Sequence, residues 1–241
     1  MSNLNAMPAH ARQNGLDRSG INRLIQVFGS MAVMGAVLFL SAGRLDWTAA
    51  WVYLVLSVVI VATIGMYVAR RSPDVINERG KIGKDVKNWD KIVMLLYTVV
   101  MFALLIVAGL DAVRFSWTSM PIAGQAVGVL GYLLSMAITY WAMLSNPFLS
   151  TTVRIQEDRG HQVATTGPYQ FIRHPMYVGV ILMWLSTALM LGSWWALVPG
   201  VLIAVIFVVR TALEDRMLQA ELPGYADYAK SVRHRLIPGV W

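Results

Sequence analysis

The sequence predicts an all-α membrane protein: one polytopic helix bundle of about six transmembrane helices, closed by a C-terminal cytoplasmic helix and tail. Two observations carry this. Hydrophobic residues make up 57% of the 241 and charged residues only 14%, against about 25% charge in an ordinary soluble domain. The apolar residues also fall in blocks close to the ~20 residues that a helix needs to cross a hydrocarbon core.

Six blocks qualify, at roughly 23–43, 47–69, 92–113, 122–145, 175–192 and 194–212. Charges flank the first four, at Arg44 and Asp46, Arg70 and Arg71, Lys91, and Arg114. Only "GSWW" (192–195) separates the last two, which predicts a tight helical hairpin. Pro199-Gly200 predicts a kink in the sixth span, because proline removes a backbone donor and crowds the preceding turn. Gly124 and Gly128, one turn apart, predict a close-packing face on the fourth, within the bundle. The 14 methionines suit an adaptable apolar lining or a lipid-facing surface.

Orientation follows from the basic residues. With a cytoplasmic N-terminus, eighteen of the twenty lysines and arginines, Arg12 and Lys84 among them, lie inside, and only Arg44 and Arg114 lie outside. Under the positive-inside rule both termini face the cytoplasm, and a bacterial inner membrane is the expected setting. The net charge of +7 is therefore topological and borders an anionic leaflet, so no nucleic-acid partner is expected. The first 20 or so residues are polar and do not resemble a cleavable signal peptide. With no cysteine there is no disulfide, thiolate nucleophile or cysteine-bound metal, and the spacing of His161 and His174 does not suit a metal.

The outer loops are short, with Trp47 and Trp117 as expected interfacial anchors; Trp184, Trp194 and Trp195 read as packing and anchoring residues. Chemistry is therefore expected on the cytoplasmic side, in three segments. The stretch 70–91, "RRSPDVINERGKIGKDVKNWDK", reads as a solvated loop or a surface for lipid head groups. The other two are the 146–174 loop and the tail beyond Arg210, broken at Pro223-Gly224.

The 146–174 loop ends in "TTGPYQFIRHPMYVGV" (165–180). Gly167-Pro168 is a turn signal. Pro175 falls in the first helical turn, where its missing N–H costs nothing, and His174 takes the cap position. The free N–H groups and positive dipole end there favour an anion, and Arg173 adds a forked donor for a carboxylate or phosphate. An ordinary capped helix with a snorkelling arginine fits equally well. Glu214 tilts the reading toward a site. Hairpin geometry brings it level with Arg173 and His174, and a carboxylate near lipid depth is functional or paired. Its plain alternatives are an ion pair with Arg210 or Arg173. A zwitterionic cofactor would use both signs.

These residues resemble a known family. "GPYQFIRHPMYVG" (167–179) is similar to the signature of isoprenylcysteine carboxyl methyltransferases and the wider membrane phospholipid methyltransferase superfamily. "NPFLSTTVRIQEDRGHQVATTGPY" and "LEDRML…YADYAKSVRHRLIPGVW" resemble its flanking segments. The resemblance covers about 141–241. It implies a cofactor-binding region there, with 1–140 supplying N-terminal spans within one membrane domain, 1–241. It implies S-adenosylmethionine as methyl donor, held by His161, Gly167, Pro168, Tyr169, Arg173, His174, Tyr177, Gly179 and Glu214. Glu214 matches the first acidic position of the tail motif. The second is usually glutamate, and here it is Asp215. Arg173, His174 and Glu214 are the implied catalytic residues. The implied acceptor is a lipid or lipidated carboxylate, oriented by Arg173 or Arg154, or an amine deprotonated by Glu214 or His174. Two rivals remain: an NADPH-dependent oxidoreductase like the sterol reductases, and a non-enzymatic lipid-binding protein. No extra basic pair suited to a 2′-phosphate accompanies the RHP segment. The oligomeric state is not legible.

Overall fold

The computed structural model describes residues 15–81 and 86–241, so Arg12 and Lys84 lie outside the described residues. Its elements are α1 (Arg18–Ala42), α2 (Thr48–Arg71), α3 (Pro73–Gly80), α4 (Asn88–Gly109, continued as a π turn, Leu110–Arg114), α5 (Ile122–Ser145), α6 (Pro175–Met190), α7 (Leu197–Glu221) and α8 (Tyr225–Ser231). Among the described residues there is no strand. The protein is an all-helical integral membrane protein.

Local chemistry sets the helix ends. The Asp17 carboxylate caps α1, accepting from the Gly20 N–H at 2.9 Å, and Gly43 closes it in a left-handed conformation. Arg70 and Arg71 occupy the last turn of α2, where cations suit the dipole. Five helices are long and apolar enough to span a membrane: α1, α2, α4 with its π turn, α5 and α7. Their outward faces present residues such as Ile25, Leu40, Leu95, Val99 and Leu130, as lipid contact requires.

The structure departs from the sequence reading in four places. The fifth apolar block is a helix of 16 residues, about 24 Å long at 1.5 Å per residue and short of the ~30 Å core. Helix α7 starts at Leu197, so Pro199 lies in its first turn and imposes no kink. Trp47 is buried and packs in the core instead of sitting at an interface. The 70–91 segment is no plain loop: with Pro73 at its first turn, α3 forms and docks on α1.

The core gathers where α5 and α6 pair. A Cβ on Gly128 would lie 2.3 Å from the Met190 nitrogen, and one on Gly179 would lie 2.2 Å from Thr139 Oγ1. Glycine is needed at both for the helices to touch, which accounts for Gly128 within the bundle. At the end of α6 far from Pro175, the buried carboxylate of Asp111 accepts from the Thr118 N–H (2.9 Å) and hydroxyl (2.8 Å), the Ser193 hydroxyl (2.6 Å) and the Trp195 N–H (3.2 Å). It ties the π turn to the α6–α7 turn. Asp111→Ala strands these donors, and a buried donor left unsatisfied costs about 1–3 kcal/mol. Thermal unfolding in detergent should show a clear loss of stability, and an unchanged transition would deny this carboxylate its structural role.

Candidate functional site

A cavity of about 260 Å³ opens among α4, α6, α7, the 146–164 stretch and α8. Its lining includes six of the residues singled out by the resemblance, His161, Tyr169, Arg173, His174, Tyr177 and Glu214, together with Arg154. Met94, Tyr97, Val180 and Phe207 supply apolar wall. Gly167, Pro168 and Gly179 do not line it. Gly179 packs against α5, as above. Gly167 (φ +59°) and Pro168 form the tight turn that presents Tyr169.

Residues 214 and 215 are neighbours on α7 and so point about 100° apart around it. Glu214 faces the cavity and accepts a hydrogen bond from the Tyr177 hydroxyl. Among the described residues it has no ion pair. Neither plain alternative holds: Arg210 pairs with Asp90 at 2.9 Å and Arg173 with Asp215 at 2.7 Å.

Asp215 is fully buried and collects five donors: Arg173 Nε (2.7 Å) and Nη2 (2.9 Å), Arg235 Nε (2.8 Å), the Tyr225 hydroxyl (3.0 Å) and Gln219 Nε2 (2.9 Å). His174 Nε2 stands 3.4 Å from the same carboxylate and 3.3 Å from the Tyr225 hydroxyl. Arg173 is therefore committed. Its Nη1 donates to the carbonyls of Val232 (2.7 Å) and Arg233 (2.9 Å), and the Asp215 carboxylate raises its already high pKa against the effect of burial. Just before the helix, the N–H groups of Arg173 and His174 donate to the carbonyls of His234 and Arg235. The forked donor serves the tail, not an open anion site.

The 146–174 loop is held from both sides. The Val153 N–H donates to Asp90 at 2.8 Å, and Arg210 reaches both Asp90 and the Thr151 carbonyl. Gln156, buried, donates to the Phe148 carbonyl and accepts from Arg159 at 2.6 Å. His161 accepts from the Gln156 N–H at 3.3 Å and lies against the Phe148 ring. Burial, then the cations Arg159 and Arg154, push its pKa down to about 4, so it is neutral at pH 7. Arg154 pairs with Asp158 at 3.2 Å. Tyr169 is buried; it receives the Asn146 amide at 3.4 Å, and its carbonyl receives the Tyr228 hydroxyl at 2.7 Å. Burial raises the phenol pKa of both tyrosines.

Sequence reasoning missed four of these residues. Arg210 was read only as a partner for Glu214, and nothing in the spacing announced its pair with Asp90, 120 residues away. Asp215 stood out only as an aspartate where glutamate is usual, with no role assigned, yet it is the centre of the network. Arg79, from the segment read as a loop, also lines the cavity.

Residues 122–222, spanning α5 to α7, match the family model for phospholipid methyltransferase. Six solved chains are similar in structure. One is the eukaryotic intramembrane Ras methyltransferase, an isoprenylcysteine carboxyl methyltransferase, at 16% identity over 93% of this chain and 99% of that one, with a TM-score of 0.47. No curated protein sequence matches. The apolar helices and the matched region define an integral-membrane methyltransferase. The segment similar to the phospholipid methyltransferase family builds most of the cavity.

Two predictions follow from this geometry. Asp215→Ala leaves Arg173 buried without its partner, and breaking a buried pair this way costs about 3–5 kcal/mol; residues 232–241 should become sensitive to limited proteolysis in folded protein. Persistent protection would show that Asp215 does not hold the tail. The second concerns pH. Between about 6.5 and the folded value of about 4, the unfolded chain binds the His161 proton more readily than the folded one. The stability contributed by the neutral ring is whole above pH 6.5 and falls as pH falls through that window. Thermal scans of wild type should show this acid-side loss, and His161→Asn should flatten it.

Proposed function

We propose that the chain transfers a methyl group from S-adenosylmethionine to a membrane-borne acceptor, a lipid or lipidated carboxylate or amine, on the cytoplasmic side of a bacterial inner membrane, with both termini cytoplasmic. The observation that carries the reading is Glu214, a carboxylate on a spanning helix, open to the cavity and in no ion pair among the described residues. An unpaired carboxylate at such depth is costly unless a ligand balances it, and a cationic cofactor with hydroxyls fits that need. When bound, S-adenosylmethionine supplies a methyl group activated by its sulfonium.

The chain's own residues do the rest. Glu214, steadied by Tyr177, would hold the cofactor through its positive charge and hydroxyls. Arg173 and His174 act as positioning residues: through Asp215 they fix the tail against the first turn of α6. His161 and Tyr169 complete the loop side of the cavity, and Phe207, Tyr97 and Val180 keep water from the reacting atoms. Gly167, Pro168 and Gly179 serve the backbone and packing. Holding donor and acceptor in line supplies much of the acceleration in a displacement of this kind. A carboxylate acceptor is already ionised at neutral pH. An amine acceptor needs its proton removed, and Glu214 is the base in reach of the cavity.

The test is calorimetric titration of S-adenosylhomocysteine into detergent-purified protein. Wild type should bind, NADPH should not, and Glu214→Gln should weaken binding by about tenfold or more, ~1.4 kcal/mol. Unchanged affinity in Glu214→Gln with a lowered turnover would make Glu214 the base instead. NADPH binding without S-adenosylhomocysteine binding would overturn the methyltransferase reading.

A further inference from the structure

Two arginines face the cavity from outside the matched region. Arg23 lies on α1 and Arg79 on α3, and both line the space that holds Glu214 and Tyr177. They are neighbours because α1 and α3 touch: a Cβ on Gly80 would lie 2.0 Å from the Ser19 carbonyl oxygen and 3.2 Å from Arg23 Cβ. Asn77 secures the contact, accepting from the Asp17 N–H at 3.1 Å and donating to the Gly15 carbonyl at 3.2 Å. The fold thus forces two like charges together.

Neither charge is answered. Among the described residues, Arg23 makes no ion pair and Arg79 Nη1 is buried with no hydrogen-bond partner. Glu214 faces the same cavity but makes no ion pair with either arginine, and the other carboxylates nearby are committed elsewhere. Glu78 pairs with Lys81 at 2.5 Å and lies 3.9 Å from Arg159, Asp90 holds Arg210, and Asp215 holds Arg173 and Arg235. Burial and the neighbouring Arg23 lower the Arg79 pKa to about 10, so it stays cationic at pH 7 while bearing the repulsion. An orphaned guanidinium facing a cavity is what an oxyanion would satisfy, and its fork suits carboxylate or phosphate alike.

Met94, Leu149, Val180 and Phe207 add apolar wall to the same cavity, which suits an oxyanion carried on an apolar chain. We propose that Arg23 and Arg79 clamp the oxyanion of the methyl acceptor, a carboxylate or phosphate carried on an apolar chain, and so set which membrane molecule is methylated. This rests on the methyltransferase reading and adds the substrate's charge to it. It also separates two duties: the α6–α7 side meets the cation of the donor, and the α1–α3 side meets the anion of the acceptor.

The test uses full-length protein in a neutral detergent, with and without S-adenosylhomocysteine. The probes are dodecyl phosphate, dodecanoate, inorganic phosphate and dodecyltrimethylammonium. At least one anionic amphiphile should bind, with Arg79→Gln and Arg23→Gln each weakening it by about tenfold and Arg79→Lys less. S-adenosylhomocysteine affinity should stay within about twofold in every variant, which also shows that each is folded. Preference for dodecyl phosphate names a phospholipid acceptor, and preference for dodecanoate a lipidated acid; either supports the clamp. Four results overturn it: anion binding untouched by the variants, no anion binding at all, inorganic phosphate binding as tightly as dodecyl phosphate, or S-adenosylhomocysteine affinity falling in step, which would give the anion site to the cofactor. Anion binding that needs Arg79 in a wild type blind to S-adenosylhomocysteine would keep the clamp and sink the methyltransferase reading.

Discussion

The buried carboxylate of Asp215 is the constraint on which the cavity end of the bundle depends. Two guanidiniums, a phenol and an amide converge on it, and each arrives on a different piece of chain: Arg173 from the turn before α6, Arg235 from the tail, Tyr225 from α8 and Gln219 from α7 itself. A charge taken wholly out of water is tolerable only when such donors surround it. The segments that supply them cannot move independently, and the cavity wall they form is one unit. The tail reinforces this through its backbone, since its carbonyls at 234 and 235 receive the N–H groups of Arg173 and His174.

One step along the same helix, Glu214 is left with a single phenol. The contrast between adjacent acids separates structure from chemistry. A carboxylate saturated by five donors has no capacity to bind anything else, whereas one donor leaves most of a carboxylate's acceptor sites open. The same logic sorts the arginines. Arg173 and Arg210 are spent within the fold; Arg79 is not.

Much of the fold was legible because hydrophobic blocks and basic flanks report directly on spanning segments. The Pro175 start of α6, the break at Pro223-Gly224 and the role of Gly128 are local signals and stand where the sequence puts them. The site was legible in part. The motif named residues around the cavity but not their tasks, because whether Arg173 is free or spent depends on Asp215 and Val232, 42 and 59 positions away. Helix α3 was missed because eight residues rich in charge carry almost no periodic signal; it forms by docking on α1, a tertiary effect. Proline at the third position of α7 misled for a related reason: the start of that helix is set by the Ser193 and Trp195 bonds to Asp111.

The shortness of α6 has a consequence for the surrounding lipid. Its Met190 end is fixed level with the π turn of α4 by Asp111, so the missing length, about 6 Å against a ~30 Å core, falls at the Pro175 end, where residues 173–177 stand. A bilayer meeting that recess must thin or let water dip inward. On the methyltransferase reading proposed above, a water-soluble donor would reach Glu214 from the wet side of that recess and the acceptor would enter sideways from the leaflet. Neither reactant has to leave its own solvent: the protein bends the boundary between oil and water until the two meet.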